Sequence, residues 1–169
     1  IASLVIAIFS GICNGISPII SFNYGANNKD RINKILKIAI STIIIIGISS
    51  TILMIFGGET LIKMFSKGDA ELIRITAEAT KLYSVAFVFN GLNILTSAYF
   101  TALEDAKTSA IISVLRGVIL ILIFIIILPI ILGDIGIWLT VPASELVTVF
   151  IAVNYMKKAD LKIQKMKIA

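Results

Sequence analysis

The sequence predicts an all-α protein, a polytopic bundle of five helices that cross a membrane. Composition supports this in two ways, because 58% of the 169 residues are hydrophobic and only 15% are charged. A soluble domain has about 45–50% apolar and about 25% charged residues. The third observation is that the charges lie between uncharged apolar runs, each near the roughly 20 residues that a helix needs to cross a bilayer.

Short polar breaks separate the five predicted spans. The spans are expected at residues 1–22, 34–57, 78–103, 107–132 and 136–156, followed by a basic tail at 157–169. In the first break, Gly25 and the pair Asn27–Asn28 supply the backbone freedom that a turn between two helices needs. Glycines near both ends of residues 57–69 predict a short interfacial segment between the second and third spans.

The basic residues are distributed unequally between the two sides of the predicted bundle. One side carries ten of them, namely Lys29, Arg31, Lys34, Lys37, Lys107, Lys157, Lys158, Lys162, Lys165 and Lys167. The other side carries four, namely Lys63, Lys67, Arg74 and Lys81. Because cytoplasmic loops are enriched in Lys and Arg, the sequence predicts a multi-pass cell-membrane protein with a cytoplasmic C-terminus.

Several function classes are excluded by composition. The chain has no histidine and a single cysteine, Cys13, within an apolar run. We therefore expect no catalytic residues, no metal ligands, no cofactor and no enzyme activity. The basic residues lie at span ends and do not form one basic face, so no nucleic-acid partner is expected. The lipid bilayer is the first predicted partner.

Polar residues follow one face of the first span and one face of the third. The two sets are Ser3, Ser10, Asn14, Ser17 and Ser21, and Tyr83, Asn90, Asn93, Ser97 and Thr101. From these we select Asn14, Ser17, Asn90, Asn93 and Ser97 as candidates for a substrate or ion pathway. Small polar residues are also common where membrane helices pack together, so helix packing remains the alternative interpretation.

Two charged residues, Arg116 and Glu145, lie inside predicted spans, where an ionisable side chain is a functional-site hypothesis by default. Counted from the cytoplasmic side, each lies about 15 Å into its helix, which makes direct pairing a hypothesis. A structural ion pair is one interpretation of both residues. The other is a pathway role, in which Glu145 exchanges protons from a low-dielectric cavity.

Several stretches together resemble one transporter family. They are GICNGISPIISF followed by NYGANNKDR, FTALEDAKTS at 100–109, Arg116 after SVL, LPIILGDIGIWLTVPASE at 128–145, and the basic tail. This order is similar to that of the multidrug and toxic compound extrusion (MATE) transporters. The resemblance covers the whole chain and implies helices eight to twelve of a twelve-helix, two-lobe protein. The start at Ile1, within an apolar run, likewise suggests a fragment that lacks the N-terminal lobe.

The resemblance implies export of drugs and organic cations by antiport with protons or sodium, through rocking of two lobes. Some branches of the family carry an acidic residue in the tenth helix, where this chain has Asn93, so a sodium site in this lobe is in doubt. In other branches the coupling acid would lie in the N-terminal lobe. Two alternatives remain: a flippase of the same superfamily that moves lipid-linked sugars, and a truncated fragment without activity.

Overall fold

The computed structural model describes residues 2–65 and 69–166, with side chains described up to residue 159 except that of Phe65. The described residues form seven α-helices and one short π-helical segment. They are α1 (Ala2–Gly25), α2 (Lys29–Phe65), α3 (Ala70–Ser84), α4 (Ala86–Ala102), α5 (Ala106–Val114), the π segment (Leu115–Ile119), α6 (Leu120–Leu132) and α7 (Asp134–Met166).

By length and composition, four of these helical stretches could cross a membrane. They are Ala2–Gly25, Lys29–Met64, Ala106–Leu132 and Asp134–Ala159. The pair α3 and α4 adds a fifth if it is counted as one span bent by 44°. The all-helical, membrane-spanning fold class expected from the sequence is therefore confirmed.

The third span differs from the prediction because it is broken at Val85. At the break, the hydroxyl of Thr51 on α2 lies 2.8 Å from the carbonyl oxygen of Ser84 and 2.9 Å from that of Gly47 on its own helix, and its single proton is shared between these two acceptors. The bond to Ser84 supplies a partner for a backbone acceptor at a helix end, where carbonyl groups run short of donors within their own helix. A neighbouring helix thus stabilises the bend.

The segment between the second and third spans also differs from the prediction. Helix α2 continues without a break to Phe65, so residues 57–65 do not form the separate interfacial segment expected from their glycines. Residues 66–68, which include Lys67, lie outside the described residues. Helix α3 begins after Asp69, whose carboxylate caps it by accepting from the backbone N–H of Leu72 at 3.1 Å.

In the first turn, the backbone freedom lies at Asn27, one of the three residues predicted to supply it, and not at Gly25. Asn27 adopts the left-handed conformation with φ of 58°, whereas Gly25 ends α1. Asparagine tolerates this region better than most residues, so the turn does not require the glycine. At the other end of the chain, α7 continues to Met166, beyond the predicted start of the tail at 157, and residues 167–169 lie outside the described residues.

Helix α4 lies at the centre of the bundle, and the core is built around it. Two clusters of buried residues include its Phe87, Leu95, Tyr99 and Phe100, packed against α1, α2 and other helices. Gly91 lets α4 approach closely, because a Cβ there would lie 2.6 Å from Cγ2 of Ile43 and 3.1 Å from the ring of Phe9. Small residues allow this kind of close approach between membrane helices.

Candidate functional site

The two charged residues predicted inside spans form an ion pair. The guanidinium Nη2 of Arg116, in the π segment, lies 3.2 Å from Oε1 of Glu145 on α7. The Glu145 side chain is 5% exposed and that of Arg116 is 18% exposed. The pairing hypothesis is therefore confirmed, and the two charges neutralise each other where an isolated charge would be costly.

Two asparagines of α4 complete the environment of the Glu145 carboxylate. The amide of Asn90 donates to Oε1 at 2.8 Å, and that of Asn93 donates to Oε2 at 2.6 Å and to the backbone carbonyl of Glu145 at 2.9 Å. Both carboxylate oxygens thus receive hydrogen bonds, as an ionised carboxylate requires. We call Asn90, Asn93, Arg116 and Glu145 the buried polar cluster; it joins α4, the π segment and α7.

In the buried polar cluster, both amides turn their nitrogen atoms toward Glu145. Their oxygen atoms, Oδ1 of Asn90 and of Asn93, are buried and have no hydrogen-bond partner within the described part of the chain. An unsatisfied buried acceptor costs stability, so this arrangement is favourable only because each amide makes a strong bond to a charged acceptor.

The π segment determines where Arg116 lies. Here the N–H of Leu120 bonds to the carbonyl of Leu115, five residues earlier, which widens one turn of the helix between α5 and α6. Single π-helical turns of this kind occur frequently at functional sites. The π-helical turn could not be predicted from Arg116 or its neighbour Gly117, because the apolar pattern on both sides is that of one continuous helix.

A chain of hydroxyl groups links α4 to α5. Ser97 Oγ lies 2.9 Å from both Ser109 Oγ and Ser113 Oγ, and Thr101 Oγ1 lies 2.8 Å from Ser109 Oγ. Each hydroxyl can donate and accept, so the chain can reverse its direction without moving the helices. Ser109 and Ser113 were not among the residues predicted from the sequence. Their spacing with Arg116, four and three residues, would have placed all three on one helical face.

A cavity of about 400 Å³ opens between α1, α4 and the segment around Arg116. We call it the polar cavity. Its polar lining consists of Ser10, Asn14, Ser17, Ser97, Thr101, Ser113 and Arg116. Its apolar lining consists of Cys13, Ile94 and Ala98. Pro18 lies inside α1 and has no N–H, so it cannot bond the carbonyl of the cavity-lining Asn14 four residues earlier.

The structure divides the seven predicted site residues between these two features. Asn14, Ser17, Ser97 and Arg116 line the polar cavity. Asn90, Asn93 and Glu145 belong to the buried polar cluster and are absent from the cavity lining, while Arg116 belongs to both. Arg116 therefore connects the two. Ser17 also donates to the carbonyl of Cys13 at 2.8 Å, so part of its hydrogen-bonding capacity serves its own helix.

The described residues contain no group of three or more His, Cys, Asp or Glu side chains that could hold a metal ion. The chemistry of the site consists of hydroxyls, amides and one ion pair. Such groups bind and orient a solute by hydrogen bonding and charge.

Comparison with known proteins identifies similar chains. The sequence model of the MatE family matches residues 1–128. The multidrug export protein MepA of Staphylococcus saprophyticus is 28% identical over 114 residues, which are 68% of this chain and 25% of that protein. MepA of Staphylococcus aureus strain MSSA476 is 26% identical over 114 residues, which are again 68% of this chain and 25% of that protein. The chain thus spans about a quarter of the length of the curated relatives it matches.

Solved structures with the same fold were also found. A crystal structure of MATE in complex with MaL6 aligns with a TM-score of 0.90 at 15% identity, over 97% of this chain and 37% of that one. A multidrug resistance MATE family transporter of the MOP superfamily in its outward-facing conformation aligns at 0.86, with 18% identity, over 96% and 37%. A multidrug resistance MATE family transporter in its inward-facing conformation aligns with a TM-score of 0.89 at 17% identity, over 97% of this chain and 38% of that one.

Proposed function

The chain belongs to the MatE family of transporters, and we propose on this basis that it forms part of an antiporter that exports drugs and other small organic cations. Export would be driven by inward movement of protons or sodium ions. Within a twelve-helix transporter the chain would supply helices eight to twelve, with the partner lobe outside this sequence. The polar cavity, with Arg116 at its wall, is the observation that carries the proposal, since a transported solute needs a hydrated surface within the bilayer.

Rocking of two lobes is the movement we propose. The fold of this chain matches both outward-facing and inward-facing transporters, with TM-scores of 0.86 and 0.89. A lobe that keeps one fold in both states can move as a rigid body against its partner. The core around α4, which contacts helices on several sides, supports such rigidity.

We propose that the C-terminus and the turns at 23–37 and 104–107 face the cytoplasm, from the excess of Lys and Arg on that side. The polar cavity then lies between a cytoplasmic turn and the middle of the membrane, because Arg116 is ten residues beyond Ala106, or about 15 Å along the helix. A solute in the cavity would therefore lie inside the membrane, on the path between its two sides.

For Glu145 we propose a positioning role. Its carboxylate already accepts hydrogen bonds from Asn90 and Asn93 and forms an ion pair with Arg116, and these interactions hold α4, the π segment and α7 together. Proton exchange at this carboxylate would break bonds that join three elements. We therefore assign the coupling ion to another part of the transporter.

The test is transport by the full-length protein in proteoliposomes with an imposed proton or sodium gradient. We expect uptake or release of a fluorescent cationic dye that depends on one of the two gradients. The chain 1–169 alone should give no such flux, because the lobe it would move against is lacking. Absence of gradient-dependent transport by the full-length protein under both conditions would contradict the proposal, as would coupled flux by the chain alone.

The role of Glu145 is tested in the same assay with Glu145→Gln. Glutamine keeps an oxygen that accepts hydrogen bonds but cannot release a proton. We expect the variant to retain the pH dependence of transport, at a reduced rate. Loss of that dependence would assign proton exchange to Glu145.

A further inference from the structure

Arg116 is the one charged residue among the described residues that line the polar cavity. The other polar groups in that lining are hydroxyls and an amide, and no described lining residue is acidic. The cavity wall contributed by this chain therefore offers hydrogen-bond donors and a positive charge. This positive charge does not complement organic cations, which are the solutes that the transporter is expected to move.

The positive charge is only partly neutralised from behind. One guanidinium nitrogen of Arg116 contacts Glu145, at 3.2 Å, whereas an arginine has five N–H donors. Glu145 in turn shares its two oxygens between Arg116 and the amides of Asn90 and Asn93. The Arg116 side chain is 18% exposed and belongs to the lining of the polar cavity.

The surroundings of Arg116 complement an anionic group. Ser113 lies three residues earlier on the same helical face, and Ser97 lies 2.9 Å from Ser113 between their hydroxyl oxygens. Hydroxyl protons can rotate toward an acceptor, and a guanidinium presents a planar pair of donors that fits a carboxylate or a phosphate. Hydrogen bonds between charged groups are about twice as strong as neutral ones. The volume of about 400 Å³ is within the range of small-molecule sites.

We propose that the polar cavity is a subsite for the anionic group of a transported solute, with Arg116 as its charged ligand and Ser97 and Ser113 as supporting donors. The inference rests on the proposed transport function and specifies its substrate class. The preferred solutes carry a carboxylate or phosphate together with a cationic centre. Glu145 sets the affinity, because it competes with the solute for the same guanidinium.

The experiment is equilibrium binding of a matched pair of rhodamine dyes to the full-length protein in phosphatidylcholine nanodiscs, followed by fluorescence anisotropy. The free-acid dye carries a carboxylate, and its ethyl ester is purely cationic. We expect the free acid to bind more tightly than the ester. Arg116→Gln should weaken binding of the free acid by about tenfold or more, and it should leave binding of the ester unchanged or make it tighter.

Glu145→Gln provides the opposite test, since it removes the competing carboxylate while the glutamine can still pack against Asn90 and Asn93. It should tighten free-acid binding several-fold and weaken ester binding. Ser113→Val, which removes one hydroxyl of the cavity wall, should weaken the free acid selectively. Ser41→Ala on α2 removes an exposed hydroxyl outside the cavity and should change neither dye.

A lipid headgroup offers the same anionic chemistry, so the measurement is repeated with phosphatidylglycerol in the nanodiscs. Competition by this lipid that disappears in Arg116→Gln would assign the anion site to a headgroup, with the site itself retained. Equal affinity for both dyes in the unaltered protein and in all variants would overturn the proposal. Because binding is measured without a gradient, failure of coupled transport would leave this result intact.

Discussion

Helices α4 and α6 are both predominantly apolar, yet they occupy opposite environments. Ten of the seventeen residues of α4 are buried, whereas α6 has no buried residue among its thirteen. Ile126 and Ile130 of α6 are 64% and 80% exposed. The buried helix is the one that carries Asn90, Asn93, Thr96 and a close-packed glycine. In this chain, therefore, polar and small residues mark the interior, and continuous isoleucine marks the exposed surface.

The largest expected effect comes from breaking the buried polar cluster of α4. Glu145→Ala leaves Arg116, Asn90 and Asn93 without their shared acceptor. Removing one partner of a buried ion pair costs about 3–5 kcal/mol. We expect a clear drop in the melting temperature of the full-length protein in detergent.

Ile130→Ala on α6 is the matched control for Glu145→Ala. It truncates a side chain that faces outward, and surface substitutions change stability by less than about 0.5 kcal/mol. The comparison between α4 and α6 would fail if the two variants lost similar stability.

The same comparison explains how much could be predicted from the sequence. The helical spans were predictable because apolar runs between charges have the length of a bilayer, and Arg116 and Glu145 stood out because charges inside such runs are rare. The break at Val85 and the π segment at 115–119 were not predictable. Both leave the apolar pattern unchanged, and at the break a neighbouring helix contributes the bond from Thr51 to Ser84.

The site was predictable to a similar extent. All seven predicted residues lie in the polar cavity or the buried polar cluster. Nothing in the residue pattern, however, assigns Asn90 and Asn93 to the cluster and Asn14 and Ser17 to the cavity. Helical periodicity places residues on a face of one helix. Periodicity does not say which neighbouring helix that face contacts. This contact determines whether a residue lies in the polar cavity or in the buried polar cluster.

A second, intermediate effect is expected from filling the contact that α4 makes through Gly91. In Gly91→Ala, the new Cβ would lie 2.6 Å from Ile43 Cγ2 and 3.1 Å from the ring of Phe9, so α1 and α2 would have to shift. Overpacking of this kind costs about 1–3 kcal/mol. The measurement is again the melting temperature in detergent.

Gly117→Ala, in the π segment that leads into α6, serves as the control for Gly91→Ala because a Cβ there meets nothing within 4 Å. We expect it to be neutral or mildly stabilising, since alanine is the better helix former. Equal destabilisation by both variants would mean that α4 is no more tightly packed than the exposed helix.

The smallest effect concerns the bend at the start of α4. Thr51→Val keeps the shape of the side chain but removes the hydroxyl that bonds the Ser84 carbonyl at 2.8 Å and, within α2, the Gly47 carbonyl at 2.9 Å. The loss of one such hydrogen bond costs about 1 kcal/mol, and the freed carbonyl should open the bend to local exchange. Thr42→Val removes a hydroxyl on the same helix that bonds only within α2, to Ile38 at 2.9 Å. Hydrogen exchange should therefore rise near Ser84 and Val85 in Thr51→Val and stay unchanged there in Thr42→Val; if both variants behave alike, the break between α3 and α4 does not depend on its neighbour.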